Sequence, residues 1–195
     1  ASLGGIAGMV VETLVAPETF SSLTLVDITP RMNPAGVAKI MGFMSEHVES
    51  GFASLEEAAE VIARYLPNRA RSKDLTGLSK NLRQDADGRY RWHWDPLFVT
   101  SVMNSRDGRS MDSFAASVSA LRIPVHLIRG RMSELVSQDA VQEFLTLVPH
   151  AKFTDVENAG HMVAGDKNDV FVEAVLAFLD RPGPELPVGG RRVAV

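Results

Sequence analysis

Apolar positions crowd the stretch from Leu3 to Ala16, broken by one charge, Glu12, and ended by Pro17. The pattern predicts a helix, and one apolar nearly all round is expected to be buried. Ser22-Leu23-Thr24-Leu25-Val26-Asp27-Ile28 follows, a β-rich run leaving through Thr29-Pro30, and predicts a core strand. From Pro30 to about Ser119 the period is helical throughout, with no good strand. Asn33-Pro34 opens a helix with Val37, Ile40, Met41, Met44 and Val48 on one face. Ser54-Leu55-Glu56-Glu57 is a capping box. It starts a helix with Leu55, Ala58, Ala59, Ile62 and Leu66 along one side, closed by Pro67. Arg69 to Arg83 is basic and predicts one short helix. Asp85-Ala86-Asp87-Gly88 is a turn, Arg89 to Pro96 is the most aromatic stretch, and Met111 to Leu121 is a further helix.

Strand and helix then alternate. Pro124 to Gly130 is a strand, and Ser137 caps a helix reaching about Val148. Ala151 to Val156 is a short strand, and Asn158-Ala159-Gly160-His161 is a loop. The last helix carries Val170, Phe171, Ala174, Val175, Phe178 and Leu179 as an apolar stripe. Arg181 to Val195 is rich in Pro, Gly and Arg and reads as a tail. The order predicts an α/β fold, a mostly parallel sheet with flanking helices interrupted by a helical insertion. The expected division is core 1–29, insertion 30–119, core 120–180 and tail 181–195.

Composition narrows the function. The 195 residues are 45% hydrophobic and 23% charged, ordinary for a globular domain. A net charge of −4 gives no basic face for nucleic acid. The chain has no cysteine, which removes disulfides, thiolate metal sites and a cysteine nucleophile together. No run approaches the roughly 20 apolar residues of a membrane span, and no signal peptide is recognisable. Neither a metal nor a cofactor is called for, and a cytoplasmic, non-membrane protein is expected.

The candidate chemistry starts at Ala1-Ser2-Leu3-Gly4-Gly5. A serine entering a helix between small residues matches the back of G-x-S-x-G, with Gly4 as its closing glycine. That turn holds serine in a strained backbone state with its hydroxyl outward. The helix start offers free N–H groups, that of Leu3 first, to a developing oxyanion. The simpler alternative makes Ser2 a helix N-cap. Two further motifs come in order: Arg129-Gly130-Arg131-Met132-Ser133-Glu134-Leu135-Val136, just past a strand, and Asn158-Ala159-Gly160-His161-Met162.

These three motifs, in the order Ser, acid, His, make the chain resemble the C-terminal two-thirds of a capped serine hydrolase of the α/β-hydrolase superfamily. The similar branch includes haloperoxidase-like enzymes, esterases and epoxide hydrolases. Ser2 argues against the epoxide-hydrolase and dehalogenase chemistry, which uses an aspartate nucleophile. The resemblance implies Ser2 as nucleophile, His161 as base, and Leu3 N–H as one oxyanion donor. It implies Glu134 as the acid, where relatives usually have aspartate in G-x-x-S-D-x-V. Asp27 ends a strand that some relatives use for the acid, but it is read first as capping a turn with Thr29. Asp95 is read as a turn former.

The insertion then implies a lid whose Met41, Met44, Trp92, Trp94 and Phe98, with Phe43 and His93, line a pocket, joined by Met162 beside His161. Such a wall suits a small apolar ester or acyl substrate. The competing expectation is that these side chains pack the insertion's own core. The resemblance also implies strands before Ala1 in a protein of ~280 residues. The missing N-terminal half would then be needed as partner, the chain alone inactive, and an oligomer compatible with the sequence. Two other classes stay open: a non-catalytic ligand-binding member, for which the Glu134 departure leaves room, and an N-terminal-nucleophile hydrolase, which serine at position two disfavours.

Overall fold

A computed structural model describes residues 1–67, 74–104 and 108–180. The expected helix from Arg69 to Arg83 lies partly, and the tail from Arg181 wholly, outside them. Contacts divide the chain into two units, Ala1–Asn33 with Arg109 onward, and Pro34–Gly108. The helix from Met111, expected in the insertion, belongs to the first unit as part of α5 (Gly108–Val118).

The first unit is built on a parallel sheet. Its strands are β1 (Leu23–Val26), β4 (Val125–Gly130) and β5 (Lys152–Val156), in the order β1-β4-β5. Leu25 pairs with Leu127, and Leu127 with Phe153. Central β4 is buried at all six positions, as a strand covered on both faces must be. After the short α7 (Val163–Asp166), helix α8 (Asn168–Leu179) lays Phe171, Ala174 and Val175 on Val26, Ile128, Val156, Ala159 and Val163. Its Phe178 is buried too, whereas Val170 and Leu179, expected on the same stripe, are exposed. Helix α6 (Gln138–Leu147) starts where Ser137 accepts the Ala140 N–H, as expected.

Helix α1 (Leu3–Val10) runs on as one π-helical turn, Val11–Val15. It is not buried all round. Gly5, Gly8, Met9 and Glu12 face inward, while Leu3, Leu14 and Val15 are exposed, because only one face lies on β1. Glu12 is buried but satisfied, accepting the Glu18 and Phe20 N–H groups. The close approach falls at Gly5 rather than at Gly4. A Cβ on Gly5 would lie 2.4 Å from Ile28 Cγ2, whereas one on Gly4 would meet nothing within 4 Å.

The second unit holds α2 (Pro34–Ser45), α3 (Leu55–Tyr65) and α4 (Pro96–Asn104), but it is not purely helical. Strands β2 (Leu82–Gln84) and β3 (Tyr90–Trp92) form an antiparallel hairpin closed by the Asp85–Gly88 turn. Three-residue strands are too short to show a period of two, so only the turn was visible in the sequence. Phe52 pairs with Tyr90 beside the hairpin. Gly51, at φ +62°, passes so close that a Cβ would sit 2.8 Å from Tyr90 O. Half of the expected capping box forms: Ser54 Oγ takes the Glu57 N–H, while the Glu57 carboxylate takes the N–H of Ala53, one residue before the cap.

Trp92, expected as a pocket residue, is core. It is 7% exposed, stacks on Trp94 at 4.5 Å, meets Phe52 edge-on at 5.3 Å and lies 5.9 Å from Phe43. Met41 is buried as well, while Met44, Trp94 and Phe98 are half-buried. Asp95 accepts the Leu97 N–H, the turn role expected of it. Among the described residues no helix is long and apolar enough to cross a membrane.

Two measurements check these contacts. Gly4→Ala should leave stability unchanged or raise it by up to about 1 kcal/mol, the helix gain of alanine. Gly5→Ala should lower it by about 1–2 kcal/mol net, because overpacking against Ile28 exceeds that gain; denaturant melts of both decide it. In the hairpin, Arg91 hydrogen-bonding, helped by the Arg89 N–H, lowers the Asp87 carboxyl from 3.8 to about 2. Asp87 therefore stabilises the fold above its unfolded value, and that contribution is lost as pH falls through about 2. Acid unfolding followed by tryptophan fluorescence should be flatter in Asp87→Asn than in wild type over that window.

Candidate active site

In a parallel sheet all strand ends of one sense lie along one edge, and the loops leaving them meet there. Ser2, Asp27, Ser133 and His161 belong to that edge. Ser2 has φ 49° and ψ −127°, a backbone state ordinarily kept for glycine. Its N–H donates to Val26 O at 3.2 Å, tying it beside the end of β1, and its carbonyl accepts from Gly5 N at 2.8 Å. The side chain makes no capping hydrogen bond, which disposes of the N-cap alternative. Gly4 N bonds Ala1 O, and among the described residues no acceptor takes the Leu3 N–H.

Asp27 follows Val26. It has φ 50° and is fully buried, and its N–H reaches across to Ile128 O at 2.7 Å. Three donors meet its carboxylate. Gly130 N–H lies 3.1 Å from Oδ1, while Ser133 Oγ, at 2.6 Å, and His161 Nδ1, at 2.8 Å, both lie on Oδ2. A carboxylate only accepts, so Nδ1 carries the proton and Nε2 is left as the basic nitrogen.

The carboxylate hydrogen-bonded to His161 Nδ1 is that of Asp27, where Glu134 was expected. Glu134 is half-buried in the loop after β4, and the residue before it, Ser133, is the one that reaches inward. Nor does Asp27 cap a turn with Thr29, whose hydroxyl instead donates to Arg31 O. The signal for Asp27 was present in the sequence, as a lone charge in the otherwise apolar end of a buried strand.

The histidine loop is held as firmly. Asn158 turns it at φ 56°, Met132 N–H binds Ala159 O at 2.9 Å, and Gly160 N–H binds Asp166 Oδ2 at 3.0 Å. Gly130 makes the approach feasible: a Cβ there would lie 2.1 Å from Gly160 O and 2.6 Å from Ala159 O. Met132 and Met162, the latter an expected substrate contact, are both exposed beside this loop. Sequence reasoning missed the contributions of Gly130, Ser133 and Asp166. Of the expected triad, His161 is joined to Asp27, and Ser2 is tied by its backbone to the residue before Asp27. Among the described residues no hydrogen bond joins Ser2 to His161.

Removing the charge at the hub should be felt without any assay of activity. Asp27→Asn turns an amide toward three donors and should cost roughly 1–3 kcal/mol, against about 0.5 kcal/mol or less for Glu134→Gln. Equal losses in denaturant melts would contradict the placement of the hub.

No protein-family model matches the chain. In sequence it is 27% identical over 170 residues to the 3-hydroxybutyrate-oligomer hydrolase of Cupriavidus necator, covering 82% of this chain and 57% of that protein. It is 25% identical over 189 residues to the mouse sn-1-specific diacylglycerol lipase ABHD11, covering 91% and 57%. Among solved structures it superposes on E-2-(acetamidomethylene)succinate hydrolase with a TM-score of 0.74 and 20% identity, covering 92% of this chain and 65% of that one. An esterase of Mycobacterium tuberculosis matches with a TM-score of 0.69 and 25% identity, covering 92% and 59%. The chain thus spans less than two thirds of each of these proteins. Across that span the chain has the α/β-hydrolase fold, a parallel sheet with flanking helices.

Proposed function

We propose that these residues belong to a serine hydrolase that cleaves an ester or related acyl bond of a small apolar substrate. Ser2 is the nucleophile, His161 the general base and Asp27 the acid. The observation that carries this is the strained backbone of Ser2, bonded to the strand end from which Asp27 grips His161. Strain at a non-glycine residue persists where surrounding structure imposes it, and it collects at reacting groups.

The steps follow from the residue types. His161 Nε2 takes the Ser2 proton as Oγ attacks the acyl carbon, and Asp27 stabilises the imidazolium that forms. The Leu3 N–H faces the negative oxygen of the tetrahedral intermediate. Collapse expels the alcohol, which leaves with the proton from His161, and water reverses the sequence on the acyl-enzyme. The names of the relatives, an oligomer hydrolase, a diacylglycerol lipase and an esterase, agree with acyl-oxygen cleavage. Met162, and Met132 beside it, supply exposed apolar contact at the same edge for the substrate. The non-catalytic alternative drew on Glu134 in place of aspartate; the hydrogen bond from His161 to Asp27 supports the catalytic reading instead.

A fluorophosphonate probe applied to the full-length protein should label Ser2. Ser2→Ala should abolish the adduct, and His161→Ala and Asp27→Asn should slow it by about a thousandfold or more. Glu134→Gln should label near the wild-type rate. An adduct that survives Ser2→Ala would overturn the assignment.

A further inference from the structure

A hydroxyl has one proton to give and two lone pairs to offer. In Ser133 both lone pairs are engaged by its own loop, by Leu135 N–H at 3.0 Å and Val136 N–H at 3.2 Å. The proton is left with one destination, Asp27 Oδ2 at 2.6 Å. That oxygen also receives His161 Nδ1–H, while the other is occupied by Gly130 N–H. We propose that Ser133 is a positioning residue of the active site. Its hydroxyl, locked by the backbone of its loop, shares Asp27 Oδ2 with His161 and so sets how strongly the carboxylate holds the imidazole. This builds on the assignment of Asp27 and His161 made above.

The physical consequence is competition. Two donors on one oxygen each draw on the same negative charge, and a charged acceptor makes both bonds strong. Withdrawing the hydroxyl returns that charge to the imidazole N–H. A purely structural Ser133 would tie residues 133–136 into a turn and leave the ring unaffected. The two roles separate because the turn uses the lone pairs and the ring responds to the proton. The other carboxylate tied to the histidine loop, Asp166, is engaged at Gly160 N–H. Arg131 of the Ser133 loop is engaged by Asp155 and Glu157.

Proton NMR of the folded chain tests this through the low-field resonance of His161 Nδ1–H, assigned by its disappearance in His161→Gln. Ser133→Ala should move that resonance downfield, and Ser133→Thr, which keeps the hydroxyl, should leave it at the wild-type position. If Ser133→Ala fails to fold, Ser133→Cys, a weak donor of similar size, should give a smaller shift of the same sign. A resonance unmoved in Ser133→Ala, or moved equally by Ser133→Thr, overturns the proposal, as does its absence from the wild type. Failure of Ser2 labelling would strike the hydrolase assignment and leave this resonance to judge Ser133 independently.

Discussion

The structure of the first unit turns on one buried carboxylate. Asp27 is wholly removed from water, and a charge so placed costs several kcal/mol unless fixed donors replace its hydration. Here three donors do so, from the end of β4, the loop after it and the loop after β5. Two come from the end of β4 with its following turn and the third from the loop after β5, so satisfying the charge requires both stretches to be in register with the end of β1 at once. Folding and assembly of the site become one event. Parallel strands make this feasible because they deliver all those loops to one edge.

The same edge concentrates backbone strain. Of the five non-glycine residues at positive φ among the described residues, Ser2, Asp27 and Asn158 lie at the site or in its loops. Each such residue costs about 1–3 kcal/mol, which the surroundings must offset. Ser2 is held by a bond to Val26 on one side and by the first turn of α1 on the other. Asp27 is held by its ladder bond to Ile128 and by the three donors on its side chain. Gly5, Gly8 and Gly130 serve this arrangement differently: they let a helix lie on β1 and let one loop pass against another.

Much of this was legible in the letters. The order of helix, strand, insertion and alternating strands and helices follows from apolar period, which spans ten or more residues and survives local exceptions. The turn at Ser2 and the loop of His161 were legible because Gly4 lies two residues after the one and Gly160 directly before the other, each at a predicted element boundary. The hairpin at Leu82 and Tyr90 was not, because three residues carry no measurable period. Burial of α1 was overestimated because an apolar composition says what a helix tolerates, not what covers it. Trp92 looked like a pocket wall because aromatic clustering is common to pockets and small cores, and only its packing with Phe43, Phe52 and Trp94 separates them.

The exchange of Glu134 for Asp27 has a physical logic. The motif from Gly130 to Glu134 was the right loop read for the wrong atom. The ring of His161 can be approached both from the end of β1 and from the loop after β4, since β1 and β4 are neighbours. A carboxylate presented from both directions would set like charges against each other in a dry site. With Asp27 in possession of the ring, the complementary contribution from the second loop is a donor, and Ser133 with Gly130 N–H supplies it. Which carboxylate holds His161 and the presence of a hydroxyl opposite it are thus one constraint. A sequence reader could have weighed the two candidates together, asking which choice leaves the other loop with something useful to donate.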